Sequence, residues 1–114
     1  MNLPYTYLND LTENSAPPDD GIVSRTVYND NDVKVMLFGF GPGQELSEHT
    51  ASKPAMLYFV DGEGTVGLGA DTHPVQAGSF VHMPAELKHS VHATTQLRML
   101  LVLLKSAAAH APAD

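Results

Sequence analysis

The side chains of this sequence best suited to chemistry are its six histidines, and there is no cysteine to compete with them. His49 follows the tight turn Gly41-Pro42-Gly43, and His89 follows Pro84 across a short loop. Neutral imidazole suits Zn, Fe, Mn, Ni or Cu, whereas carboxylates shift preference toward harder ions. Two histidines fall short of the three protein ligands that catalytic metal centres generally use. Without a metal, the same pair would hydrogen-bond to each other, to water or to an organic ligand. His82 is the candidate third donor. It lies on the strand-like run 79–83 and shares the parity of Phe80, so an inward parity would bring it toward His49 and His89. His92 comes three residues after His89, faces the other way on a strand, and reads as a surface or subunit contact. Glu48 and Glu86 read as solvated. Lys53 reads as a loop residue with an ammonium to offer at a rim, and His73 and His110 are given no role.

Strands must position these residues. Nine glycines and eight prolines punctuate the chain, and short apolar runs recur between turn signals, the pattern of a sandwich or barrel. Strands are expected over 21–28, 33–40, 55–60, 65–68, 73–76, 79–83, 89–94 and 97–104, with Asp61-Gly62-Glu63-Gly64 read as a hairpin turn. Residues 1–20 read as a lead-in with a turn of helix near 8–13, residues 21–105 as the barrel, and residues 106–114 as a frayed tail. In 97–104 both strand faces are apolar after Arg98. An antiparallel sheet needs only one such face, so the second wants cover from another sheet or a second subunit, and a homodimer is expected.

The bulk properties narrow the field. A chain of 114 residues, 43% apolar, supports one domain with one core. A net charge of −7 opposes a nucleic-acid partner, and no Gly-rich phosphate loop or nucleophile-elbow motif is present. No apolar run is long enough for a membrane span, and the N-terminus lacks the basic start and apolar stretch of a signal peptide. The absence of cysteine is compatible with a reducing compartment, and a cytoplasmic location is expected.

Two segments together resemble the signature of the cupin superfamily: Gly43-Gln-Glu-Leu-Ser-Glu-His49, and Gly78-Ser-Phe-Val-His-Met-Pro84 followed five residues later by His89. The resemblance spans about 21–104. It implies an all-β fold, a double-stranded β-helix (jelly-roll) barrel, usually dimeric, with His49 and His89 brought together inside the barrel mouth. The chain departs from the family pattern where the second histidine falls on Ala51, the glutamate on Ala55, the second-motif glycine on Glu86 and the final asparagine on Ala93. With Ala51 and Ala55 pointing inward, the cavity would be wider and drier, and Leu57 and Phe59 share the parity of Ala55. The resulting expectation is a small-molecule-binding cupin with an incomplete divalent-metal site on His49, His89 and His82, open to metal-dependent chemistry on a small organic substrate. The alternative is a metal-free ligand-binding or sensing module.

Overall fold

The computed structural model describes residues 4–107. Nine strands form it, and among the described residues there is no helix. They are β1 (Ile22–Asn29), β2 (Val33–Phe40), β3 (Glu45–His49), β4 (Ala55–Asp61), β5 (Glu63–Leu68), β6 (Asp71–Gln76), β7 (Phe80–Met83), β8 (His89–Ala93) and β9 (Leu97–Leu104). A five-stranded sheet has the order β1-β2-β9-β4-β7 and a four-stranded sheet the order β3-β8-β5-β6, every pairing antiparallel. The two sheets pack as a double-stranded β-helix, the jelly-roll barrel.

Strand alternation decides what lies between the sheets. One parity of β4 (Ala55, Leu57, Phe59) and one of β9 (Leu97, Met99) is buried, and from the facing sheet Val66, Val91 and Ala93 meet them. Phe59 and Val66 have no exposed surface, so this layer excludes water. Burying a side chain of that size is worth about 1.5–3 kcal/mol, which makes the inner faces the main source of stability.

The segment Asp61–Gly64 is a corner rather than a hairpin. β4 pairs with β7 and β9 in one sheet, whereas β5 pairs with β6 and β8 in the other. Gly62 makes the crossing at φ +91°, and a Cβ there would stand 2.1 Å from the Gln96 carbonyl oxygen. The sequence reads as a hairpin because a turn at Asp-Gly looks the same whether the strands pair or part. The true hairpin follows at Gly69-Ala70, where Leu68 pairs with Asp71 and Gly69 supplies positive φ.

The lead-in crosses the outside of the five-stranded sheet. Residues 11–14 form turns, not a helix, closed by Glu13 N–H to Asp10 O and Ser15 N–H to Thr12 O. Arg25 Nη2 donates to Leu11 O at 2.9 Å, Arg98 Nη1 to Ser15 Oγ at 3.1 Å, and Pro17 lies against Gly39. Leu37 points outward from β2, yet this cover leaves it 3% exposed. The segment therefore supplies part of the cover that the second apolar face of β9 calls for. Lys53 donates to the Ala107 carbonyl at 2.9 Å, so its ammonium ties down the chain after β9. The tail expected over 106–114 lies, from residue 108 and including His110, outside the described residues.

Candidate functional site

Four strand ends define the mouth of the barrel. The chain leaves β3 at His49 and enters β4 at Ala55, and leaves β7 at Met83 to enter β8 at His89. The two connecting loops are tied together by Glu86 N–H donating to Ala51 O at 2.8 Å, and Lys88 O accepts from Gly69 N–H at 2.7 Å. Glu86 takes φ +69°, a left-handed conformation that costs a residue with a Cβ about 1–2 kcal/mol.

A β-bulge aims His49. Leu46 on β3 pairs with Val91 on β8, and regular pairing would then set Glu48 opposite His89. One extra residue between Leu46 and His49 shifts the register, and His49 is paired with His89 instead. The two rings come to a centroid separation of 4.2 Å at an interplanar angle of 59°. His89 is buried at 7% exposure, while His49 is exposed at the rim.

Both rings are oriented the same way. His49 Nδ1 lies 2.8 Å from Ser47 O, and His89 Nδ1 lies 2.8 Å from Leu87 O. A carbonyl oxygen only accepts, so each Nδ1 carries the proton. In neutral imidazole that leaves the lone pair on Nε2 of both rings. A carbonyl that accepts from the other ring nitrogen is what fixes tautomer and ring orientation in imidazole metal sites.

The surroundings are apolar. Ala55 (3% exposed) and Met83 (2%) are register partners at the mouth, and Leu46, Leu87 and Leu103 pack partly buried against the same core. Ala55 points inward where a carboxylate would complete a site, and it offers no donor.

His82 does not join the pair. On β7 the inward positions are Val81 and Met83, so the parity shared by His82 and Phe80 points outward, with His82 beside Met56 of β4 and exposed. Among the described residues no group of three His, Cys, Asp or Glu side chains is placed to hold a metal. The donor set thus fits a transition ion at two positions, the Nε2 atoms of His49 and His89, and supplies no third. His92 is exposed and outward, opposite in facing to buried His89. Sequence reasoning gave no sign of the bulge or of the two carbonyls.

Residues 36–103, more than half of the chain, match the cupin domain family model, and the chain belongs to the cupin family. It is similar to a conserved protein of unknown function from Streptococcus pyogenes at 28% identity, covering 95% of both chains with a TM-score of 0.78. An RmlC-like cupin from Desulfovibrio desulfuricans is 24% identical over 89% of this chain and 98% of its own, TM-score 0.79. A protein described as a predicted oxalate decarboxylase from Thermotoga maritima is 20% identical over 73% of this chain and 79% of its own, TM-score 0.69. The last two likenesses speak for the fold alone. No curated protein matches the sequence.

Proposed function

We propose that the chain is a small-molecule-binding cupin whose polar anchor is the His49–His89 pair. The observation that carries this reading is the commitment of both Nδ1 atoms to backbone carbonyls, which leaves two Nε2 lone pairs at an apolar mouth. A ligand with an apolar body and one polar group suits that lining. A divalent transition metal (Zn, Fe, Mn, Ni or Cu) would be held by the two Nε2 atoms, and it would supply Lewis acidity toward a bound oxygen. The protein's own contribution is orientation and dryness. Ser47 O and Leu87 O hold the rings, and Ala55, Met83 and Leu87 keep water from the inner one.

The metal-free reading is favoured by one specific observation, the lack of a third donor among the described residues. There the same Nε2 atoms accept hydrogen bonds from a ligand hydroxyl or N–H. Elemental analysis of untagged protein, purified without chelator or nickel resin, separates the two. About one transition metal per chain, lost in the His49→Ala/His89→Ala variant, supports a metal centre. Apo protein that gains no thermal stability from any of the five metals leaves the metal-free module.

The proposal extends to a cytoplasmic homodimer. The outer face of the five-stranded sheet carries Met56, Tyr58, Leu100 and Val102 in adjoining register, and Tyr58 is 44% exposed. A second copy would cover what the lead-in leaves bare. Among the described residues no helix is long and apolar enough to cross a membrane.

A further inference from the structure

Away from the mouth, the barrel is open along one side. β6 and β7 are the outermost strands of their respective sheets, so each has a free edge. They are joined by a short turn at Gly78, whose N–H donates to Phe59 O at 2.8 Å. Beyond that turn they run in different sheets, and a cavity of about 480 Å³ lies between them. Its floor reaches Val66 and Val75, exposed at 0% and 5%, with Val81 on the opposite wall. His73 borders it from β6, and His82 and Phe80 border it from β7.

Three observations point to the occupant. The volume falls in the range of small-ligand sites, about 300–1,000 Å³. The lining has no carboxylate, although the chain carries a net charge of −7 and Asp10, Glu13, Asp61 and Glu63 line other cavities. Two imidazoles from facing strands are therefore the polar groups least opposed to an anion. Finally, Pro74 lies on β6 and pairs with Thr65 on one side, so the free edge of β6 lacks an N–H there. An added peptide strand would lose a ladder bond at that point, which favours a small molecule.

We propose that this seam is a second binding site, which takes a small monocarboxylic acid with an aromatic or branched apolar body. The body lies on Val75, Val81 and Phe80, above fully covered Val66, and the carboxylate accepts hydrogen bonds from His73 and His82. The proposal does not rest on the reading of His49 and His89, although Leu68, which lines this cavity, is the register partner of His89.

The test is a titration of the full chain with benzoate, followed by backbone amide NMR, alongside benzamide and benzylamine as neutral and cationic counterparts. Saturable shifts confined to β5, β6 and β7 are expected, with benzoate binding about tenfold more tightly than benzamide. The folded His73→Gln/His82→Gln variant should lose about that factor, while His49→Ala/His89→Ala keeps full affinity. Equal affinity for benzoate and benzamide, shifts confined to the mouth, or no saturable binding would each overturn it. Shifts confined to the mouth would at the same time support ligand binding at His49 and His89, whereas the other two results leave that reading untouched.

Discussion

His49 and His89 each bond the carbonyl two residues back in the chain, a local contact that costs the fold no distant partner. It makes the site largely pre-organised, because the rings are aimed before any ligand arrives. Replacing both by Ala should abolish ligand or metal stabilisation in thermal-shift titrations and leave the β spectrum in circular dichroism intact. Glu86 is the contrasting case. It holds a left-handed conformation at φ +69° in the loop that supplies Leu87 O, so Glu86→Gly should raise stability by about 1 kcal/mol in urea unfolding. An unchanged or lowered midpoint would show that the loop is not strained. The spacing of Gly43 to His49 and of Pro84 to His89 made the histidine pair legible. The placement of His82 was not, since parity alone leaves the inward set undecided until Met83 and Val81 are seen against the core.

The same limit appears in the elements. Eight strands announce themselves through apolar or β-branched runs, but β3 reads Glu-Leu-Ser-Glu-His and is exposed except at Leu46. It is an edge strand whose pairing with β8, not its composition, makes it a strand. Its bulge is the device that faces His49 rather than Glu48 toward His89. Deleting Ser47 would remove the extra residue, set Glu48 opposite Ser90 and leave His49 opposite His89 in regular register. That variant should fold and keep the binding of the parent in calorimetry, and lost affinity would show that the bulge does more than choose which side chain faces His89. Gly62 is equally specific. Gly62→Ala meets the Gln96 carbonyl at a positive φ, and a loss of about 2 kcal/mol or more is expected in chemical denaturation.

At the scale of the molecule, the two sheets make a slab 40 × 37 × 21 Å, strapped on one broad face by the lead-in. The strap is tied to the sheet through Arg98, which bridges Asp61 on β4 and Ser15 in the lead-in. Hydrogen bonds from Arg98 hold the Asp61 carboxyl below its ordinary value. Its contribution is therefore fully present above the ordinary carboxylate range and is lost as pH falls through that range toward the lowered value. Melting temperatures measured from neutrality to about pH 3 should fall less steeply in Asp61→Asn than in the parent. On the rest of that face, Tyr58→Glu should convert a dimer to a monomer in light scattering after size exclusion. A parent that is already monomeric would end the dimer proposal. The sequence made the need for cover legible in the two-sided apolar pattern of β9, but which segment provides it depends on contacts 83 residues apart, such as Arg98 to Ser15. The central claim is that the mouth presents two bare Nε2 atoms, and the most direct measurement is long-range nitrogen–proton NMR of the imidazole rings at neutral pH. Both His49 and His89 should be Nδ1–H tautomers with unprotonated Nε2, and added zinc or ligand should shift those two nitrogens first. An Nε2–H tautomer at either ring would contradict the account.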